Sequence, residues 1–429
     1  MRRFPQDERG CELLPPPVAP QPRKRTVGAA TVEFVEEVRE YELITPLFGG
    51  GVIPGSSDEV TTIRGTEIRG QLRFWWRATR GGLSGGNLDR MREMEGMIWG
   101  RVGGGAIGTP SQVDIAVEVT KGGCEKKVFT LRNSKTSVLD EWRKLSYLLW
   151  PLQPQDDRPA GKLHDEVAFK LHIRFPADLR EDVDAALWAW ETFGGIGART
   201  RRGFGAVKLV AVNGVKADPP YAPDAQEWIL EGLRRHIVAK GTNGGLAWPG
   251  GVPHLSRSPR MKVTRPLETP RKAWELLVDR LRAFRQSRGR GGTRGRSDWP
   301  EAEAVREIVF GRRRNAGAPF VKKFPRAAFG LPIEFHLRGE TDAELVPESD
   351  YNRLASPLIL RPFACREGAV GLALILDGTS LPPGNLILKC EKTQCPVEAN
   401  LTPQEARHIR PLSGKKNPTD VLEAFLESL

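Results

Sequence analysis

Paired cysteines, long apolar runs and histidine motifs are all missing from this chain, and each absence removes a class of function. No apolar run in the 429 residues approaches the length of a membrane span. The five cysteines, Cys11, Cys124, Cys365, Cys390 and Cys395, are scattered without a C-x-x-C pair. An odd count with no apolar signal core fits free thiols in a reducing cytoplasm. Cys390 and Cys395 would need a second Cys or His pair at ligand spacing to hold zinc, and none is present. The six histidines (His164, His172, His236, His254, His336 and His408) are dispersed, and none stands in a nucleophile or metal motif. Asp156 and Asp157 follow prolines and read as a solvated loop. The sequence therefore assigns no active site and implies no cofactor.

Positive charge is abundant. The formal net charge is +12 and the pI is near 9.6, with arginine well ahead of lysine. That balance favours a polyanionic partner, most simply nucleic acid. Residues 1–31, with PPPVAPQP followed by RKR, read as a disordered basic, proline-rich tail.

The strongest local signal is Thr61–Gly82, TTIRGTEIRGQLRFWWRATRGG. Its spacing predicts a helix that ends at Gly81-Gly82, with Ile68, Leu72 and Trp75 facing inward. Arg69, Arg73, Arg77 and Arg80 follow at steps of three and four and share the other face with Trp76, and Arg64 precedes them. Forked charged donors beside a flat ring suit phosphate contact and base stacking. Phe193–Val207, FGGIGARTRRGFGAV, is the second signal. Gly194, Gly195, Gly197, Gly203 and Gly205 would let backbone N–H groups approach a phosphate chain, while Arg199, Arg201 and Arg202 add charge. The loop follows a helix and opens a strand, which excludes both the Walker loop and the dinucleotide fingerprint. Arg285, Arg288, Arg290, Arg294 and Arg296, interleaved with glycine, form the third signal and read as a backbone-gripping loop that orders on RNA. Arg312–Arg314, Lys322, Lys323 and Arg326 extend the basic character.

The chain reads as α+β. Strand-like patterns at Val32–Thr45 and Val167–Phe175, helical ones at Thr61–Gly82 and Asp178–Phe193, and the strand after Gly205 give a β-α-β-β-α-β order. VDIAVEV and KVFTLR, joined through TKGG, look like a hairpin. This is the ferredoxin-like (RRM-like) order, in which helices cover one face of an antiparallel sheet and the other face is open to a partner. A boundary at Asn213–Pro223 separates a domain over residues 32–215 from a second, α+β domain over 216–429. Helices at Ala225–Lys240, Thr269–Arg285 and Trp299–Phe310, and strands near Met261, Leu331, Pro357, Ala369 and Leu386, are compatible with a second, degraded copy of that fold.

Taken together, ELITPLFGGG, IRGTEIRGQLRFWWRATRGG and FGGIGARTRRGFG resemble the RAMP superfamily of CRISPR RNA-binding proteins. More narrowly, they resemble the first-subunit family of the Cmr complex, the type III-B RNA-targeting effector. GRSDWPEAEAVRE, FPRAAFGLPIEFH and RLASPLILRP are similar to blocks of the same family, so the resemblance runs from about Glu42 to Pro362. Residues 1–31 lie outside the family pattern, and Trp99 stands where a Phe is expected. The resemblance implies two ferredoxin-like domains, no nuclease activity, and a cytoplasmic ribonucleoprotein role in antiviral defence. The subunit would cap the guide-RNA 3′ end, touching crRNA and target RNA and abutting other RAMP subunits. The alternative within the superfamily is a metal-independent endoribonuclease that processes guide RNA.

Overall fold

In the computed structural model, residues 24–27, 30–51, 61–102, 108–132, 135–154, 160–237, 245–289, 296–311, 320–337, 341–348, 353–379, 384–391 and 393–429 are described. The first half carries β1 (Lys24–Val27), β2 (Ala30–Leu43), β3 (Leu47–Phe48), α1 (Gly65–Arg80), α2 (Leu88–Trp99), β4 (Asp114–Lys121), β5 (Cys124–Lys127), β6 (Phe129–Arg132) and β7 (Lys135–Val138). It continues with α3 (Ser146–Leu149), β8 (Lys162–Asp165), β9 (Ala168–Pro176), α4 (Arg180–Phe193), β10 (Val207–Val212) and β11 (Val215–Lys216).

Its main sheet has the order β11-β10-β2-β9-β4, with β1 added to β2, and every pairing is antiparallel. Leaving out the short β1 and β11, strand, α1, two strands, α4 and strand follow one another in chain order. The alternation along β9 explains the layering. Phe169, Leu171, Ile173 and Phe175 are buried beneath α1 and α4, while Lys170, His172 and Arg174 point away. The expected hairpin between VDIAVEV and KVFTLR does not form. β4 pairs with the distant β9, and KVFTLR divides between β5, which pairs with β8, and β6, which pairs with β7. Apolar alternation matched to β9 outweighs the nearby TKGG turn.

The second half begins with α5 (Ala225–His236), β12 (Arg260–Val263), α6 (Pro270–Arg285) and α7 (Glu301–Phe310). β13 (Ile333–Phe335), β14 (Ala343–Pro347), β15 (Leu358–Ala364), β16 (Ala369–Ile375), β17 (Leu386–Cys390), β18 (Thr393–Val397), α8 (Pro403–Arg407) and α9 (Val421–Leu426) complete it. One antiparallel sheet has the order β12-β16-β15 and a second the order β13-β14-β17-β18. The second contains two short strands not anticipated from the sequence, the interior β14 and the edge strand β18. α6 works on two sides. Leu277 and Leu281 pack on β15 and β16, while Trp274 and Val278 pack against Phe204 and Trp142 of the first half. No described helix is long and apolar enough to cross a membrane. Cys124, Cys365, Cys390 and Cys395 are free thiols, and among the described residues no group of His, Cys, Asp or Glu could hold a metal ion.

Arg361 of β15 joins the halves. It is 1% exposed, and its guanidinium donates to the carbonyls of Gly194 at 2.7 Å, Thr192 at 2.9 Å and Val207 at 2.6 Å. Thr192 and Gly194 lie at the C-terminal end of α4, where carbonyls lack intrahelical partners and a cation is favoured. Burial pushes the Arg361 pKa down to about 9, so the group is still charged at neutral pH. Substituting Arg361→Met keeps bulk but strands these acceptors, at ~1–3 kcal/mol for each buried group left unpaired. Chemical denaturation should therefore show a loss of at least about 3 kcal/mol. A change below about 1 kcal/mol would mean that the clamp carries little of the stability.

Candidate nucleic-acid interface

Helix α1 has a wider buried stripe than its periodicity suggested, because the sheet, α4 and α2 contact it on three sides. Trp75 and Trp76 are both buried, at 3% and 0% exposure. The Trp76 indole N–H donates to Asp182 Oδ1 at 2.7 Å, so this ring is a packed core group and not a platform for a base. The arginine row is also engaged. Arg73 and Arg77 reach the buried Glu95 at 2.6 and 3.0 Å, and Arg80, itself buried, lies 3.6 Å from Glu181 and 3.5 Å from Asp182. Carboxylates thus offset much of the charge that the sequence places on this helix. Arg64 and Arg69, nearer its N-terminus, are half-buried.

The glycine loop is interior backbone. Gly194, Gly195, Gly203 and Gly205 are buried, and the N–H groups of Gly194, Gly197, Gly203 and Gly205 are already spent within the fold. Ile196 donates to Gly205 O, Ala198 to Phe48 O and Gly205 to Pro46 O, while Gly197 donates to the Glu67 carboxylate. Glycine is required at Gly205 because φ is +58° and a Cβ would sit 1.9 Å from Ile196 O. The expected phosphate cradle of backbone N–H groups is therefore not formed. The glycines allow close packing of chain on chain.

The loop's arginines remain available. Arg199, exposed and in the left-handed region at φ 58°, and Arg201 and Arg202 on the following turn face the second half across a cleft of about 870 Å³. Arg285 at the end of α6, Arg353 and the 329–334 segment form the opposite wall, and Trp150 stands at the edge with 58% of its surface exposed. An adjoining hollow of about 500 Å³ shares Trp150, Arg199, Arg202 and Arg285. Carbonyls, not carboxylates, hold these guanidiniums. Arg201 donates to Ser356 O at 2.6 Å, and Arg202 donates to Leu358 O at 2.8 Å and Phe329 O at 3.3 Å. Their charge is oriented without being neutralised. Burial, with Arg285 close by, pushes Arg202 down to about 9, burial lowers Arg201, and partial desolvation by the surrounding protein lowers Arg199, although part of its surface reaches solvent. Five arginines against the single carboxylate of Glu334 among the described residues of the lining make an anion site.

The third basic segment is only partly placed. Arg285 lies 5.1 Å from the Phe329 ring, and the bases of the loop are joined by Gly289 N–H to Arg296 O and by a bridge between Arg288 and Ser297. Arg290 and Arg294 lie outside the described residues, as do Arg312–Arg314, Asp156 and Asp157. The open sheet face suits RNA poorly. There Arg174 pairs with Glu36 and Asp114, Lys170 with Glu40 and His172 with Glu118, a lattice in which carboxylates match or outnumber cations. Trp150 and Arg353 were missed by sequence reasoning, because neither sits in a basic run and only the fold brings them to the cleft.

A family model described as the RAMP superfamily matches residues 40–208. This segment belongs to the RAMP superfamily. It holds α1, α4 and the glycine-loop arginines, while the far wall of the cleft lies beyond it. The chain is 26% identical over 188 residues to CRISPR system Cmr subunit Cmr1-2 of Pyrococcus furiosus, covering 41% of this chain and 95% of that protein. It is 24% identical over 178 residues to Cmr1-1 of the same organism, covering 41% of this chain but only 48% of the relative. The crystal structure of Cmr1 from Pyrococcus furiosus in its apo form superposes with a TM-score of 0.51 at 16% identity, over 81% of this chain and 89% of that one. The fold is Cmr1-like, α+β with several antiparallel sheets.

If the RAMP glycine loop is packed backbone, Gly205→Ala should destabilise the protein by at least about 2 kcal/mol, through strain and a backbone clash. Gly70→Ala, on α1 with nothing within 4 Å of the added Cβ, should be neutral or stabilising by up to about 1 kcal/mol. Thermal denaturation of the two variants tests this, and equal melting temperatures would contradict it.

Proposed function

We propose that this chain is a non-catalytic, Cmr1-like RNA-binding subunit of a type III-B CRISPR effector complex. RNA would lie in the cleft between Arg199, Arg201 and Arg202 on one side and Arg285 and Arg353 on the other, with Trp150 as a stacking surface. The observation that carries this reading is a row of guanidiniums beside an exposed indole, with Arg201 and Arg202 oriented by carbonyls and Glu334 the one carboxylate among the described residues lining the cleft. Guanidiniums meet phosphates, the ring meets a base, and neither reads sequence strongly. Base pairing between guide and target would supply specificity, as in other RNA-guided systems. The likeness to the named Cmr1 relatives supports a Cmr subunit; within this proposal the subunit caps the guide-RNA 3′ end among other RAMP subunits, in contact with crRNA and target RNA.

The same reading takes residues 32–215 and 216–429 as two ferredoxin-like units. The first has the full strand order. In the second, β12, α6, β15 and β16 reproduce the first three strands and helix of that plan, and no fourth strand joins that sheet among the described residues. Arg64 and Arg69 are retained as secondary RNA contacts.

One feature favours the endoribonuclease alternative. His336, whose ring is 6.4 Å from Trp150, is hydrogen-bonded through Nδ1 to Asp342 at 2.9 Å, and the contacts with Asp342 and Glu334 raise its pKa. Guide-precursor cleavage by the purified protein, abolished by His336→Ala, would establish that activity and end the non-catalytic reading. We expect no cleavage by either form.

For binding, Arg199→Glu with Arg353→Glu should weaken single-stranded RNA at least ten-fold. The slope of log K against log salt should fall by about 1.4 for two lost phosphate contacts. Trp150→Ala should cost about 1–3 kcal/mol. Filter binding at several salt concentrations measures all three. Unchanged binding in these variants, with loss in Arg69→Glu, would move the site to α1.

A further inference from the structure

A separate cavity of about 380 Å³ lies between α4, β10, α5 and β15. Its walls are aromatic. Trp228 stands between Trp188, with ring centroids 6.4 Å apart, and Phe363, at 5.5 Å. The polar groups come largely from one face of α4, where Arg180, Asp184, Trp188 and Glu191 recur at helical spacing. Arg39 and Glu191 satisfy each other at 3.0 Å, and His236, stacked on Trp188, is pushed down to about 4 by burial and is neutral at pH 7.

Thr192 and Asp184, both in the walls of this cavity, are short of partners. Thr192 is 1% exposed, and its hydroxyl is buried with no hydrogen-bond partner, although its carbonyl accepts from Arg361. An orphaned buried hydroxyl is costly unless something else fills its valence. Asp184 has one ion-pair contact, Arg180 at 3.7 Å, which is long for a hydrogen bond and leaves its carboxylate oxygens open to a donor. Flat apolar walls with a few convergent polar groups describe a site for a small planar heteroaromatic.

We propose that this cavity binds a guanine base, either as a free mononucleotide or presented by an RNA strand. The volume admits one base and part of its ribose, but not two stacked nucleotides. Trp188, Trp228 and Phe363 supply the faces against which a base packs. An ionised carboxylate only accepts hydrogen bonds, and guanine is the common base that offers two adjacent N–H donors, N1–H and the 2-amino group, on one edge. Asp184 takes that edge, and the Thr192 hydroxyl, which can donate or accept, serves a remaining ring or carbonyl atom. The site stands apart from the arginine cleft and does not depend on the RNA-binding reading.

Titration calorimetry on the full chain tests this with GMP, AMP, CMP, UMP, and short oligouridylates with and without one central guanosine. The expected result is at least a ten-fold preference for GMP, or for the guanosine-containing strand, over its counterparts. Thr192→Val and Asp184→Asn, both close in shape to the native residues, should each reduce that affinity roughly ten-fold. The Arg199→Glu, Arg353→Glu variant should leave GMP binding unchanged. Binding by GMP would identify a free nucleotide site, and binding by the guanosine-containing strand alone a site for an everted base. Either result supports the proposal. Absence of both, equal affinity for all four nucleotides, or affinity indifferent to Thr192→Val and Asp184→Asn would overturn it.

Discussion

One buried guanidinium fixes how the two halves of this molecule meet. Arg361 enters from β15 and binds carbonyls at the end of α4 and the start of β10, the two ends of the glycine loop. The loop between those anchors has little freedom left. Its glycines allow Ile196 and Gly205 to hydrogen-bond across it, and Trp274 of α6 donates to Arg202 O at 2.7 Å. Arg199, Arg201 and Arg202 are then presented to the second half as a rigid group. Without Arg361, the halves would still share apolar surface around Trp190, Phe193, Ile359 and Leu374, and Arg201, Arg202 and Trp274 would still bond across, but the two ends of the loop would lose their common anchor.

The two groups of arginines differ in what holds them. On α1, Glu95, Glu181 and Asp182 neutralise Arg73, Arg77 and Arg80, and these pairs tie α1 to α2 and α4. At the cleft, carbonyls fix Arg201 and Arg202 without cancelling their charge. A sequence read as a count of arginines cannot separate these roles, because the deciding partners lie far along the chain. Burial lowering the affinity of Arg202 for its proton is the electrostatic trace of that difference. An anionic backbone entering the cleft would relieve the repulsion.

Much of the fold was legible because it rests on periodicity. The spacing of Leu179, Val183, Leu187 and Trp190 placed α4, and the alternation of Val167–Phe175 placed β9, with its charged residues facing out. The face of Trp76 was not legible. Three neighbours surround α1, so adjacent residues at positions 75 and 76 are both buried, which a single apolar stripe does not predict. The glycines of the 194–205 loop were visible, but their purpose was misread: glycine permits close approach of any backbone, and here the approaching chain is the protein's own. Trp150 and Arg353 carried no sequence signal, since an exposed tryptophan after a short helix looks like a core residue until the surrounding surface is known.

RNA crosslinking with peptide mapping, on the protein assembled with whatever RNA and subunits accompany it, tests the central claim most directly. The account predicts crosslinks at Trp150, in the Arg199–Arg202 turn and near Arg353, with none on the outward residues of β9. Crosslinks confined to α1 or to the open sheet face around His172 would contradict it, and the arginine cleft would then be an interface with another protein.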